Sequence, residues 1–457
     1  DNTAFNGNGG GIDMTIEESL FNDPAFLTSV QIHNSIFTGN AAKGEYMPTE
    51  DAKGGKSQGG AIHIYRVEGM VIDNITCTDN TAYRGGAIDL YVMNYTTIIN
   101  SDISDNTATL GGGIAVVGDN CNFTNLTLTG NYAEEGDYHE GEGGGIWVNG
   151  SNTRFENSTL EDNMADAYGG GIMSRGSDGA FVNNTLTGNF AFMGGGIAVE
   201  SNDDSGFAEN ITFYNNTLLD NEAYAGGGVF VQADEVNFTD NEISSNTALT
   251  TGGAFFVVGN DLYIDNLTSD YNTALNGGSC AIYSCDNLII KNSSFTGNQA
   301  LVEEPRGLGG AIHLSSVNGA DIEADFYNNT AKNGSAIYSE KSTGVYIHDS
   351  DFVENQAYSY ILSITPENNT VLDENEAFNI TVTHVGGDNI MNAIYNTEGS
   401  EDIGFTNVTY PFLTVDGQEI IRNTNDGYSP TEVIHPVIGV ENSENGNLLY
   451  QDDLENN

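Results

Sequence analysis

"GNYAEEGDYHEGEGGGIWVNG", residues 130–150, sets a glycine triplet beside His139 and a run of carboxylates. Taken alone, it reads as a phosphate-cradling loop next to a metal ligand. The same pieces return throughout the chain, and their spacing decides between a site and a structural unit. Asparagine followed two places later by alanine occurs at Asn2, Asn40, Asn80, Asn106, Asn131, Asn163, Asn189, Asn221, Asn246, Asn272, Asn298, Asn329, Asn355 and Asn375. Successive copies most often stand 25 or 26 residues apart.

With this asparagine as position zero, the apolar residues fall into place around it. Ile103, Leu128, Leu160 and Leu186 stand at minus three, and Ile98, Phe123, Phe155 and Phe181 at minus eight. A glycine pair or triplet follows, then an apolar residue such as Ile88, Ile114, Ile146 or Ile172. Three short β-rich stretches per repeat, separated by Asn and Gly turns, are the expected units. A unit that small cannot bury its apolar side alone, so successive units must wind into a coil and stack like on like. The predicted fold is all-β, a right-handed parallel β-helix of about 13 rungs and roughly 60 Å long at the strand spacing of a sheet.

Position zero admits only Asn, which predicts a turn residue in the left-handed conformation whose amide bonds to the amides above and below. Gly143–Gly145 is then equivalent to Gly111–Gly113, Gly169–Gly171 and Gly194–Gly196: a structural bend and not a phosphate loop. Residues 1–360 form the regular coil, 361–417 carry degenerate rungs, and 418–457 read as a C-terminal cap or extended arm.

"FTGN" at 37–40 and 295–298, "FVEN" at 352–355 and "GGAI" at 59, 85 and 309 pair two motifs. That pairing resembles the repeat of the chlamydial polymorphic outer-membrane proteins and, more loosely, archaeal adhesin-like β-helix proteins. The resemblance implies the pectin-lyase-like superfamily and a secreted or surface-displayed adhesive or structural protein. It spans about residues 1–360 and selects no single activity, since one fold carries many functions.

Composition narrows the choice. Twelve Lys and Arg face 65 Asp and Glu in 457 residues, a formal charge of −53. Such a surface repels nucleic acid, anionic membranes and acidic polysaccharides, and keeps compact in a cation-rich exterior. No apolar run is long enough to insert in a membrane. Asp1 falls within a motif, so a processed N-terminus is expected. Cys77, Cys121, Cys280 and Cys285 lack zinc-site spacing; Cys77 holds a core position, and Cys280 and Cys285 can bond only if the chain bends between them.

Insertions at 41–58, 132–142 and 299–308 share one corner, with others near 13–29 and 198–208. Loops gathered on one edge of a solenoid are where binding tends to reside. Glu134, Glu135, Asp137 and Glu140 offer oxygens to Ca²⁺, without the ordered spacing of an EF-hand; no cofactor is required. Seventeen N-x-S/T sequons are candidate glycosylation sites. Seven lie at minus six: Asn74, Asn125, Asn157, Asn183, Asn215, Asn266 and Asn292. The others are Asn94, Asn122, Asn149, Asn210, Asn237, Asn328, Asn333, Asn368, Asn379 and Asn407. Because Asp240, Glu323 and Asp349 replace Asn at minus six, that column is expected to face solvent.

No catalytic constellation emerges. Asp203 and Asp204 have no nearby cation, Arg66, Arg84, Arg154 and Arg175 stand singly, and the histidines do not cluster; His63 and His313 share a repeat position. The expected protein is an extracellular or cell-surface, glycosylated, non-enzymatic subunit that assembles head-to-tail with itself into a filament or sheath. The alternative is an adhesin that binds a glycan or a neighbouring surface protein through the insertions, and a polysaccharide lyase or hydrolase stands third.

Overall fold

The computed structural model describes residues 2–5, 7–15, 30–43, 57–91, 93–136, 140–202, 206–301 and 307–357, with strand segments 361–365, 381–385, 394–396, 404–415, 418–423, 440–441 and 448–449. Its strands pair in parallel with their counterparts one repeat away, so the chain winds as a β-helix. Ile114–Val117 lies between Ile88–Tyr91 and Ile146–Asn149, with Val116 opposite Leu90 and Val148. Asn122–Thr124 lies between Thr97–Ile99 and Arg154–Glu156, aligning Ile98, Phe123 and Phe155. Asp102–Ser104 lies between Thr76–Thr78 and Thr127–Thr129.

A fourth column, which the sequence pattern does not show, follows the asparagine. It is a ten-stranded sheet of short segments such as Thr107–Ala108 and Tyr132–Ala133. In most of these segments the alanine at plus two is the one residue that is buried, joined by Ala225 in Glu222–Ala225, and Ala133, Ala165 and Ala191 pack on one another. A single small residue per rung carries too little periodicity to register as a strand.

Alternation along each strand directs Ile62, Ile64, Ile88 and Leu90 into the interior. Phe123, Phe155, Phe181, Phe213 and Phe238 stack face to face at centroid separations of 4.4 to 5.0 Å. The four cysteines are free and buried in this core. Burial pushes the Cys77 thiol up to about 12 and raises Cys280 as well.

Asn80, Asn106, Asn131 and Asn163 stand in one buried column. Each Nδ2 and backbone N donates to the Oδ1 of the next asparagine toward the C-terminus, as from Asn106 to Asn131 (2.9 and 3.1 Å). Each Nδ2 also reaches a backbone carbonyl, for Asn131 that of Ile103 at 2.9 Å. The column runs unbroken from Asn2 and Asn40 through Asn189, Asn221, Asn246, Asn272, Asn298 and Asn329 to Asn355. Asn375 lies outside the described residues.

The left-handed residue of this turn is not the asparagine but the one before it: Asp79, Asp105, Asp162, Asp220 and, where no side chain is kept, Gly130 and Gly188. The reason is division of labour. A left-handed residue swings the backbone outward, and the following residue turns in and fills its polar bonds inside. The same device recurs at minus six and minus five. Exposed Asn74, Asn125, Asn183 and Asn215 have φ of 52 to 55°, and the next residues turn inward. Asn184, Asn216 and Asn241 form a short second buried ladder there, which the sequence reading missed. The exposed minus-six amides run the other way, Asn125 Nδ2 donating back to Asn100 Oδ1.

The first glycine of each triplet has positive φ, and the second allows adjacent rungs to touch: a Cβ on Gly112 would overlap the carbonyl of Gly144. Beyond residue 357 the backbone adds a further parallel layer. Ile394–Asn396 pairs with Ile337–Glu340 and Gly404–Val415 with Thr343–Val353, after which Gln418–Asn423 turns back antiparallel. Among the described residues no helix is long and apolar enough to cross a membrane.

Candidate functional site

Alternation that buries Ile146 and Val148 sends Trp147 and Asn149 outward on the strand that follows the glycines. Across the column Trp147 aligns with Met173 and Ala198, and Asn149 with Arg175 and Glu200. Glu142 and Tyr168, just before their glycines, flank this face. Here Trp147 Nε1 donates to Glu142 Oε2 (2.8 Å), and Arg175 Nη2 donates to Glu142 Oε1 (2.8 Å) and lies 3.6 Å from Glu200 Oε2. Burial raises the Glu200 carboxyl, with Arg175 acting against that rise. Arg175 Nε is buried without a hydrogen-bond partner among the described residues. Trp147, Met173 and Ala198 pack together as a buried apolar cluster on the outer side of this sheet, with Glu142, Arg175 and Glu200 as its polar border.

Toward the N-terminus the same face carries a buried charge network. Arg84 Nε donates to Asp89 Oδ1 at 2.6 Å and its Nη2 to Oδ2 at 3.0 Å, while His63 Nδ1 lies 2.7 Å from Oδ2. Burial alone would raise the Asp89 carboxyl, yet the Arg84 guanidinium and His63 outweigh it and hold the group below the ordinary carboxylate range. The Arg84 guanidinium also lies over the Tyr91 ring at 4.2 Å. Such a depressed group stabilises the fold fully at neutral pH, and that contribution is lost as pH falls through the ordinary and then the depressed value. Breaking the pair as Arg84→Met is expected to cost about 3–5 kcal/mol at pH 7, because a buried carboxylate is left uncompensated. Urea midpoints at pH 7 and pH 3 should show the variant's deficit shrinking with acid.

Arg84 and His63, which stand apart in the sequence, are therefore brought together, and Arg175 is joined to two glutamates. A repeat position shared by His63 and His313 does not preclude polar networks: His313 Nδ1 lies 3.1 Å from the Tyr283 hydroxyl, and Glu340, with His313 beside it, is held down at about 2. Arg84 and Asp89, like Glu142 and Trp147, stand five residues apart across their glycines, whereas His63 and Arg175 join from other rungs, and equal offsets from the glycines were the available signal for those.

Of the calcium candidates, Glu134, Glu135 and Glu140 are exposed, and Asp137 lies outside the described residues, as does His139. The described residues include no group of three or more His, Cys, Asp or Glu arranged to hold a metal. Asp166, not anticipated, anchors the insertion by accepting from the Tyr132 hydroxyl (2.9 Å) and the Glu135 backbone N (2.7 Å).

None of the sequon asparagines with described side chains is buried: Asn74, Asn122, Asn125, Asn157, Asn183, Asn210, Asn215, Asn266, Asn292 and Asn328 are exposed, while Asn94, Asn149, Asn237 and Asn333 are half-buried. Asn368 and Asn379 lie outside the described residues, as do Asp203 and Asp204; Asn407 sits on the strand Gly404–Val415.

Comparison with known proteins bears on the fold. No curated protein sequence matches the chain. Among solved structures it is similar to a complex of the alginate lyase AlyF-OU02, at 12% identity and TM-score 0.42, covering 77% of this chain and 80% of that one. It is also similar to an alginate lyase in complex with a trisaccharide (13%, TM-score 0.38, 78% and 80%) and to the Dettilon tailspike protein (12%, TM-score 0.31, 71% and 59%). The Chlamydia polymorphic membrane protein repeat matches residues 323–340. The model for the right-handed β-helix region matches residues 27–210, 111–269 and 144–331, more than half the chain. With strands, ladders and glycine bends recurring as described, the chain belongs to the right-handed β-helix family.

Proposed function

We propose that this chain is a non-catalytic, extracellular or surface-displayed β-helix that binds a neutral saccharide on the outer face around Trp147, Arg175 and Glu200. The observation that carries the reading is Arg175 bridging Glu142 and Glu200, with the Trp147 indole hydrogen-bonded to the same Glu142. Carboxylates and a guanidinium beside an apolar cluster suit hydroxyl recognition. A net charge of −53 disfavours an anionic chain. A binding role is favoured over hydrolysis because Arg175 occupies the space between the two carboxylates, where a glycosidase keeps its substrate. Glycosylation of the exposed sequons would suit such a setting.

Calorimetry with neutral hexose oligosaccharides should show binding that Arg175→Met weakens about tenfold or more, by stranding the partners it satisfies. Absence of heat from every oligosaccharide at millimolar concentration would remove the reading.

A second reading is head-to-tail association. Thr3–Phe5, Ile12–Thr15, Gln31–His33 and Ile36–Thr38 each pair on one side only among the described residues. Where such an edge is left uncovered, it is a template for another chain. Negative-stain images at high protein concentration should then contain rods several molecules long; isolated short rods would refute it.

A further inference from the structure

The strands that follow the buried asparagines present a second outer surface, on a different sheet from the face that carries Arg175. On them Phe192, Tyr224 and Leu249 occupy the same offset in consecutive rungs and are 49, 42 and 61% exposed. Phe192 and Tyr224 stack at 4.6 Å between centroids with their planes 9° apart. Phe190, aligned with Met164, widens the ridge, and both are exposed. Between Tyr224 and Leu249 the strand register shifts by a bulge. Large apolar side chains left in water at one repeat offset over several rungs still make the kind of patch that marks an interaction surface. In the sequence the insertions at 132–142 and 299–308 fall in the same segment of their own repeats, before and after the ridge, whereas the repeats of Asn189, Asn221 and Asn246 pass to their glycines directly.

Charge selects the occupant. From Gly176 to Ile290 the chain contains fifteen Asp and Glu and not one Lys, Arg or His. The ridge lies wholly inside this span apart from Met164, and Glu222 stands in register beside Phe190. The cation at its border, Arg175, is engaged by Glu142 and Glu200. A second copy would bring the same carboxylates and be repelled. Ring edges, not faces, point outward from a stack along the axis, so a sugar ring has no platform there.

We propose that the ridge of Phe190, Phe192, Tyr224 and Leu249 docks a cationic amphipathic segment of a partner protein, its apolar side chains on the ridge and its Lys or Arg side chains on the surrounding carboxylates. From Phe192 to Leu249 the ridge covers two rung steps, roughly 10 Å at the spacing of adjacent strands, enough for about two turns of helix or three extended residues.

The probe is a fluorescent amphipathic peptide of Leu and Lys, compared with a peptide of equal charge in which Ser replaces Leu. The intact chain should bind the Leu–Lys peptide about tenfold more tightly than its Ser–Lys counterpart, as an apolar anchor inside a charged rim requires. The triple variant Phe192→Ser, Tyr224→Ser, Leu249→Ser should abolish that preference while keeping the parent's circular dichroism and melting curve, because all three side chains point to solvent. Photo-crosslinks from the peptide should fall within residues 190–249. Equal affinity for both peptides, or a preference that survives the triple variant, overturns the proposal. So does sedimentation in which the chain forms dimers that the same variant dissolves, which would assign the ridge to a second copy. Oligosaccharide binding through Arg175 is a separate measurement, so either can fail alone.

Discussion

Asn163→Ala is expected to lower stability by about 4 kcal/mol, since each buried polar group left unpaired costs on the order of 1–3 kcal/mol. Asn163 Oδ1 accepts from the backbone N and Nδ2 of Asn131 at 3.0 and 2.9 Å, and its Nδ2 donates to the Leu128 carbonyl and Asn189 Oδ1 at 2.9 and 3.0 Å. Alanine strands both donors of the rung below and removes a bond from that carbonyl, with no water able to enter a fully buried column. Asn163→Asp should be worse at neutral pH, because a carboxylate sets oxygens against the Leu128 and Asn189 oxygens. Its folded-state carboxyl would sit above the ordinary value, with burial and no cation beside it. The extra loss is therefore smallest in acid and grows as pH rises through the ordinary carboxylate range. Chemical denaturation of both variants at pH 4 and pH 7 tests magnitude and sign. A cost below 1 kcal/mol for alanine would mean that the column is decoration.

Gly144→Ala is the second large effect. A Cβ there would overlap the carbonyl oxygens of Gly170 and Met164, both backbone atoms with nowhere to go. Two rungs must part to admit it, so the loss should reach about 4–5 kcal/mol, the upper end for single substitutions. Its neighbour provides the control. At Gly145 a Cβ would meet the Gly171 carbonyl at 2.7 Å and Leu160 Cδ2 at 3.2 Å, and alanine already occupies the equivalent place at Ala61, Ala87, Ala254 and Ala311. Gly145→Ala should cost far less. Comparable melting temperatures for the two variants would contradict this account of the glycine bend.

The architecture was legible because nearly every rung states the same constraints again: a polar residue that must be Asn, glycines where rungs touch, and apolar residues at minus three and minus eight, with Ser269, Asp321 and Glu367 as the departures. What escaped has physical causes. The post-asparagine strands contribute one inward alanine each, too little signal for a strand. The left-handed residue was placed one position late because a conserved offset fixes that a turn exists, not which residue turns. The Asp89 and Arg175 groupings unite side chains of different rungs, and a solenoid sets such neighbours at separations that vary with each insertion. Arg175 meets Glu142 across 33 positions, and Asp89 meets His63 across 26.

The asparagine column makes the rod a one-way object. Every amide from Asn2 to Asn355 offers oxygen toward the beginning of the chain and hydrogen toward its end, so the two tips of the column are complementary to each other and neither is complementary to itself. Copies joined beginning-to-beginning would press oxygen on oxygen. Any continuation of this column from one molecule into another must therefore keep a single polarity, and a growing end would be chemically distinguishable from the opposite one.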